Sequence, residues 1–212
     1  MTGASTPTEE YSVLGPEALE GGTRPLENPL GLDPAVFLGP LGMPGLTAFS
    51  SFYEILGGTP ALAKGKVIFV SAASGAVGQI VGQIAKREGM VVVGSVGDDR
   101  KLEYITKELG FDGGFNYKKE KPADGLKRCA PDGIDVYYEN VGGEHLEAAL
   151  EALNKKGVIS MFNQFPNSLI PTPIFQSSNL PFFLPPSLPC FNTRQRYKIK
   201  KNPLLILLCL RI

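Results

Sequence analysis

The chain has 212 residues, of which 43% are hydrophobic and 20% are charged, as in an ordinary globular protein. Its 21 acidic and 21 basic side chains balance, so net charge does not draw the whole chain to nucleic acid or to a membrane. Three widely spaced cysteines, an odd number, fit a reducing compartment better than a disulfide framework, and no Cys or His cluster has the spacing of zinc ligands. The polar start predicts no secretory signal.

Charge and composition change abruptly near residue 152. Residues 1–151 hold all 21 acidic side chains and 13 basic ones, whereas residues 152–212 hold eight basic side chains and no acidic one. No glycine follows Gly157, and eight of the 18 prolines fall between Pro166 and Pro203. We therefore expect residues 163–212 to form a Pro-rich basic tail that is disordered and does not join the core.

The first elements of the chain are short and are punctuated by proline and glycine. Residues 10–14 predict a short strand. Asp33 and Pro34 predict a helix start, because aspartate caps helices and proline fits their first position. An apolar helix that ends at Leu56, before Gly57 and its glycine neighbour, is predicted next.

Residues 66–89 predict a strand, a glycine-rich turn and a helix. The β-branched run Val67–Val70 is typical of a buried strand, and Gly89 follows the helix as a C-cap. Apolar residues recur at helical spacing: Val77, Ile80, Val81 and Ile84. Residues 73–78 (ASGAVG) form a glycine fingerprint with alanine first, which brings backbone N–H groups to a pyrophosphate at a helix start. A dinucleotide site is predicted; the alternative is a tight turn without a ligand.

Further strands and helices alternate after this unit. Strands are predicted at residues 90–93, 115–117, 134–138 and 158–161. Helices are predicted from Asp98–Asp99 to Gly110, and through Leu146 and Leu153 to a C-cap at Gly157. This alternation predicts the α/β class, with a Rossmann-like, doubly wound parallel sheet.

The residues after the second strand bear on the choice between NAD and NADP. Small residues at 94–97 replace the acidic residue that binds a ribose 2′-hydroxyl, and Arg100 and Lys101 follow. These residues favour NADP, because they leave room for a 2′-phosphate and can neutralise it. The alternative is that Asp99 caps the helix while both basic side chains are only solvated.

Four motifs occur in the order and spacing of one known family: residues 42–48 (GMPGLTA), 72–79 (AASGAVGQ), 115–117 (FNY) and 139–143 (ENVGG). From about Glu9 to Ser160 the chain resembles the zinc-independent medium-chain dehydrogenase/reductases, specifically the prostaglandin reductase and alkenal double-bond reductase family. The resemblance implies a remnant of a GroES-like β-barrel and connecting segment at 1–45, an incomplete NADP-binding Rossmann domain at 46–162, and a tail at 163–212 unrelated to the family. It leads us to expect a chain truncated at both ends.

The resemblance also implies a function. It implies NADPH-dependent reduction of the C=C bond in α,β-unsaturated aldehydes or ketones, with NADP(H) as cofactor, no metal and a cytoplasmic location. It implies a small enal or enone substrate, no nucleic-acid or membrane partner, and homodimers among full-length relatives; it identifies no catalytic side chain. The implied cofactor-binding residues are Gly75, Ala76, Val77 and Gly78 at the pyrophosphate, Lys101 and Tyr117 at the 2′-phosphate, and Asn140, Met43 and Thr47 at the nicotinamide.

Other interpretations remain open at this point. One is a catalytically inactive remnant that binds nucleotide or a partner subunit. Tyr117 and Lys121 have the spacing of the catalytic pair of short-chain dehydrogenases, but the glycine fingerprint of that group is absent. The basic run at residues 194–201 is a nucleic-acid patch or a disordered tail. His145 is expected at the surface, in the first turn of its helix.

Overall fold

A computed structural model describes residues 13, 15, 16, 26–56 and 64–161, together with the backbone of residues 192–199 and 202–209. The strands are β1 (Val67–Val70), β2 (Val91–Val96), β3 (Gly113–Asn116), β4 (Ile134–Glu139), β5 (Leu153–Met161), β6 (Asn192–Ile199) and β7 (Asn202–Cys209). The helices are α1 (Met43–Ser50), α2 (Gly78–Arg87), α3 (Asp99–Glu103), α4 (Pro122–Cys129) and α5 (Glu144–Ala152). A 3₁₀ helix spans Pro34–Phe37, and α1 and α3 continue into π-helical turns at Ser51–Ile55 and Tyr104–Glu108.

The described strands form one sheet in the order β3-β2-β1-β4-β5-β7-β6. All neighbours are parallel except β6, which runs antiparallel to β7. The chain moves outward from β1 through β2 to β3 and then returns to place β4 on the other side of β1. This return creates a topological switch point between β1 and β4. The predicted Rossmann-like, doubly wound α/β class is confirmed.

The sheet is apolar on both faces because helices cover both of them. Ile68 of β1 and Val92 of β2 pack with residues of α1, α2 and the turn after α3. Phe69, one residue along β1, faces the opposite side and packs with residues of α4 and α5. There its ring stacks on Tyr137 and Phe115, with centroid distances of 4.9 and 5.7 Å.

The helix boundaries follow the capping residues. Asp33 Oδ1 accepts the Ala35 N–H at 2.8 Å, which confirms the predicted cap before Pro34. The chain leaves α2 through Gly89, whose φ of +84° lies in the left-handed region. The Gly89 N–H donates to the Lys86 carbonyl, and the Met90 N–H donates to the Ala85 carbonyl, so these two carbonyls near the end of α2 are satisfied.

The predicted end of the last helix differs from the structure. Helix α5 ends at Ala152, and Gly157 lies inside β5 rather than at a helix C-cap, so that prediction is wrong. The left-handed position is taken by Lys156, with φ +65°, where the β4–β5 register shifts. Gly157 is needed for another reason: a Cβ there would lie 2.5 Å from Leu153 Cγ.

Helix α4 is not predicted by the sequence analysis. Its first residue is Pro122, as helix starts favour, but Gly125 in its middle and few apolar residues obscure the helical pattern. The glycine is explained by packing, since a Cβ at Gly125 would lie 2.4 Å from the Phe115 ring. Helix α4 therefore lies close against β3.

Residues 192–199 and 202–209 also differ from expectation. Strand β7 pairs in parallel with β5, with Leu205 opposite Val158, and β6 pairs with β7. These two segments are not an unstructured tail. Seven of the eight prolines precede them, and Pro203 precedes the residues of β7 that pair with β5. The apolar run at 204–208 is typical of a buried strand.

Some expectations fall outside the described residues. These are the strand at 10–14, apart from Val13, and the glycines after Leu56. The described part of residues 1–45 includes the 3₁₀ helix and the start of α1. The barrel remnant at 1–45 and the other domain boundaries stay predictions.

The packing of α2 against the Phe111 ring gives a stability prediction. A Cβ at Gly82 would lie 1.9 Å from Phe111 Cζ, and that ring is 4% exposed. We expect Gly82→Ala to lower the free energy of unfolding by about 1–3 kcal/mol, because overpacking outweighs the better helix propensity of alanine. Gln83→Ala, at the exposed neighbouring position, is the control and is expected within about 0.5 kcal/mol of the wild type. Urea denaturation measures both; an unchanged or higher stability for Gly82→Ala contradicts the packing argument.

Candidate functional site

The predicted site residues gather mainly around the carboxyl ends of β1, β2, β3 and β4. The glycine-rich turn at residues 71–77 follows β1, and Asn140 follows β4. Because β1 and β4 are neighbours at the switch point, these two segments border the same crevice. Lys101 is the third residue of the helix after β2, and Tyr117 follows β3 at the edge of the sheet.

The glycine-rich turn offers backbone donors. Within the described part of the chain, the N–H groups of Ala76, Val77 and Gly78 have no hydrogen-bond acceptor. No side chain caps the start of α2, whose N-cap is Val77. The positive end of the helix dipole adds to these donors. The turn therefore has the geometry and the electrostatics of an anion site.

Gly78 fixes how closely α2 approaches the turn. A Cβ at this buried position would lie 2.5 Å from the Ala72 carbonyl oxygen and 3.1 Å from Ala73 Cα. Ala72 itself has φ +49°, an uncommon value for a residue with a side chain. Only glycine lets the helix start this close to the end of β1, as the fingerprint predicts.

Hydrogen bonds join the ends of β1 and β4. The Ser71 N–H donates to the Tyr138 carbonyl at 3.2 Å. In return, the Asn140 N–H donates to Ser71 Oγ at 2.9 Å, and Asn140 Nδ2 donates to the Ser71 carbonyl at 2.8 Å. The Asn140 side chain is thus held in one orientation at the edge of the crevice.

A buried carboxylate precedes Asn140. The Glu139 side chain is 0% exposed, and its Oε1 accepts the N–H groups of Val141 and Gly142, the latter at 2.5 Å. Burial raises the pKa of the Glu139 carboxyl, because the charged form is desolvated. Burial, together with this carboxylate, also raises the pKa of Tyr137. Glu139 is part of the 139–143 motif, and the sequence alone indicates no role for it.

The predicted 2′-phosphate side lies at the start of α3. Asp98 caps this helix through a 2.8 Å bond from the Arg100 N–H, so the cap is Asp98 and not Asp99. Lys101 is exposed and makes no ion pair among the described residues. Tyr117, 40% exposed, lies against Gly97, where a Cβ would be 2.6 Å from the phenol oxygen.

Asp99 has partners of its own. Its carboxylate accepts from Lys119 Nζ and, at 2.7 Å, from Asn116 Nδ2. These two donors, Lys119 first, hold the pKa of the Asp99 carboxyl below its usual value. Lys119, which follows β3, is therefore paired, whereas Arg100 and Lys101, the two basic residues of α3, make no ion pair among the described residues.

Met43 and Thr47 lie on α1, which packs against α2. The end of α1 is tied to β4 by a 2.8 Å hydrogen bond between Ser51 Oγ and the Tyr138 hydroxyl. Met43 is 47% exposed, and the Thr47 carbonyl accepts from Ser51 Oγ at 2.6 Å. The structure thus connects α1 to the strand that carries Asn140, and the nicotinamide roles of Met43 and Thr47 stay predictions.

His145 is buried, which corrects the expectation of a surface position. It is 5% exposed in the first turn of α5. Its ring lies parallel to Phe69 at 6.4 Å and edge-on to Tyr117 at 5.1 Å. Its Nε2 has no hydrogen-bond partner among the described residues, and burial lowers the pKa of the imidazole. The cause is tertiary: the glycine turn before α5 folds the helix start onto the sheet.

The described residues contain no group of three or more His, Cys, Asp or Glu side chains arranged to hold a metal ion. Among the described helices, none is long and apolar enough to cross a bilayer.

Comparisons with known proteins agree with this geometry. Residues 76–180 match the family model for zinc-binding dehydrogenases. The chain is 59% identical over 169 residues to the NADP-dependent oxidoreductase RED1 of Cochliobolus heterostrophus, covering 77% of this chain and 47% of that protein. It is 46% identical over 154 residues to a 2-alkenal reductase (NADP(+)-dependent) of Nicotiana tabacum, covering 72% of this chain and 43% of that protein. The crystal structure of CurA with NADPH from Vibrio vulnificus is similar with a TM-score of 0.56 and 38% identity, over 60% of this chain and 37% of CurA.

The chain is similar to members of the medium-chain dehydrogenase/reductase family, a family of oxidoreductases. The resemblance to alkenal and prostaglandin reductases is confirmed. The chain spans about half the length of the curated relatives that it matches.

The burial of His145 predicts how stability depends on pH. Its pKa is lower in the folded chain than in the unfolded chain, so the unfolded chain binds more protons as the pH falls below about 6.5. The contribution of the neutral His145 side chain to the free energy of unfolding is complete above that pH and is lost on acidification. We expect His145→Phe, which keeps a ring against Phe69, to lose less stability than the wild type between about pH 7 and pH 5. Thermal denaturation at several pH values measures this; parallel pH profiles for the two proteins contradict it.

Proposed function

We propose that this chain binds NADPH and reduces the C=C bond of α,β-unsaturated aldehydes or ketones. The observation that carries the proposal is the crevice between β1 and β4. Three backbone N–H groups without an acceptor in the described chain, those of Ala76, Val77 and Gly78, lie there at the start of α2, which no side chain caps. A Cβ would not fit at Gly78. Relatives named as NADP-dependent oxidoreductases and as a 2-alkenal reductase support the reaction class.

Each part of the crevice suits a different part of a dinucleotide. The Gly75–Gly78 backbone would hold the pyrophosphate, because its donors need no side chain. Arg100 and Lys101 would meet the 2′-phosphate, with Tyr117 beside them. Asn140, held by Ser71, would lie at the nicotinamide, and Met43 and Thr47 would line that pocket.

The reaction requires the chain mainly to bind the cofactor and the substrate and to orient them. A bound NADPH supplies the hydride for the β-carbon of the alkene. The chain's own contribution is a rigid crevice that fixes the two reactants relative to each other and excludes water. Ser71 and Glu139, through their bonds to Asn140 and to the two amides that follow it, make that edge rigid before any ligand enters.

Lys101 gives a direct test of cofactor choice. We expect the chain to bind NADPH more tightly than NADH, and Lys101→Glu to abolish or reverse this preference. A charge-assisted contact is worth roughly 1.5–3 kcal/mol, which corresponds to a loss of about 10- to 100-fold in NADPH affinity. Lys107→Glu is the matched control, because Lys107 lies on the following turn and pairs with Glu103. Fluorescence titration of the three proteins with each cofactor gives six dissociation constants, and equal affinities of the wild type for NADPH and NADH contradict the assignment.

Turnover tests the reaction itself. Oxidation of NADPH, followed by its absorbance, is expected with an α,β-unsaturated aldehyde or ketone, and not with the matching saturated compound. The saturated product should be recovered in equal molar amount, since one hydride reduces one alkene. Binding of NADPH without turnover on any enal or enone would leave the cofactor site in place and contradict the reductase proposal.

A further inference from the structure

Glu139 stands out among the buried polar side chains of the sheet. It is fully buried at the carboxyl end of β4, where a negative charge is costly. No lysine, arginine or histidine of the described residues pairs with it, and the side-chain group that interacts with its carboxyl is the buried Tyr137 hydroxyl. A carboxylate in such a place needs a compensating role, because an apolar side chain would fill the space at lower cost.

The role that the contacts show is to shape the turn after β4. Oε1 accepts two successive backbone N–H groups, those of Val141 and Gly142. The turn is tight, with φ of +81° at Gly142 and +54° at Gly143, before α5 begins. Without the carboxylate, the Gly142 N–H would be buried with no acceptor.

Asn140 lies at the start of this turn, between the contacts that Ser71 makes and those that Glu139 makes. On one side Ser71 accepts the Asn140 N–H and, through its carbonyl, the side-chain amide. On the other side the Glu139 carboxylate holds the next two amides. Asn140 is thus held directly by Ser71, and the turn that follows it is held by Glu139 at the end of β4.

We propose that Glu139 is a positioning residue, whose carboxyl oxygen fixes the 140–143 turn so that Asn140 is preset for the nicotinamide half of the cofactor. This inference rests on the proposed NADPH site. It assigns Glu139 no contact with the cofactor. An uncharged acceptor of the same shape therefore performs the same task, and a shortened or apolar side chain does not.

Glutamine and alanine separate these alternatives. Glu139→Gln keeps an oxygen at the Oε1 position and is expected to bind NADPH within about three-fold of the wild type. Glu139→Ala removes the acceptor and is expected to weaken NADPH by about ten-fold or more, since the turn must then be ordered on binding. Asp135→Ala is the matched control: Asp135 lies on the same strand and accepts the Val67 N–H at 3.0 Å, but at the far end from the crevice.

A half-cofactor distinguishes positioning from general destabilisation. Adenosine 2′,5′-bisphosphate carries the adenosine and 2′-phosphate groups without a nicotinamide. We expect the affinity of Glu139→Ala for this bisphosphate to stay within about two-fold of the wild-type value, while its affinity for NADPH falls. Loss of both ligands to the same degree would reduce Glu139 to a structural residue and overturn the proposal, as would unchanged binding of NADPH.

Amide hydrogen exchange of the full chain tests, without any cofactor, whether Glu139 holds the amides of Val141 and Gly142. Exchange at Val141 and Gly142 should be slow in the wild type and in Glu139→Gln, and faster in Glu139→Ala, with β1 and β2 unchanged. Equal exchange in all three proteins overturns the inference. Failure of the wild type to bind NADPH and the bisphosphate contradicts the proposed cofactor site instead, and the exchange result then shows separately whether Glu139 holds these two amides.

Discussion

The close approach of helix α2 to the end of β1 is the constraint on which the rest of the site depends. Gly78 has no room for a side chain, because a Cβ there would lie only 2.5 Å from the Ala72 carbonyl oxygen. The tight turn leaves three backbone N–H groups without an acceptor in the described chain and aligns them with the start of the helix. An anion is what such an arrangement stabilises, and the donors come from the backbone alone.

The second half of the crevice depends on the pairing of β1 with β4. Side chains on the two sheet faces hold these strands together, with Phe69 stacked on Tyr137 on one side and Ile68 packed near Tyr138 on the other. Ser71 then continues the pairing beyond the last strand residues by binding Tyr138 and Asn140. Packing, register and site geometry are therefore consequences of the same two strands, and a change in either strand would move both borders of the crevice.

Much of this arrangement could be predicted from local sequence. The β1-turn-α2 unit is visible because a β-branched run, small turn residues and a 3.6-residue period follow one another within 24 residues. The burial of His145 could not be predicted, because it depends on how the turn after β4 meets strand β1. The bonds of Glu139 could not be predicted either, because they depend on the backbone path of that turn, which has positive φ at Gly142 and Gly143. Gly125 shows the same limit: it weakens the helical pattern locally, and its reason is the Phe115 ring on another strand. Gly157 looked like a cap because it followed a helical pattern, whereas the left-handed residue is Lys156.

The most direct test of this account is an NMR titration of the ¹⁵N-labelled full chain with NADPH. The account predicts that the amide resonances of Ala76, Val77 and Gly78 shift most strongly and saturate with the cofactor, because their N–H groups bind the pyrophosphate. The amides of Lys66 and Asp135, at the amino ends of β1 and β4, should not move. Saturating NADPH that leaves the three turn resonances in place, or that shifts the strand starts instead, would contradict the site.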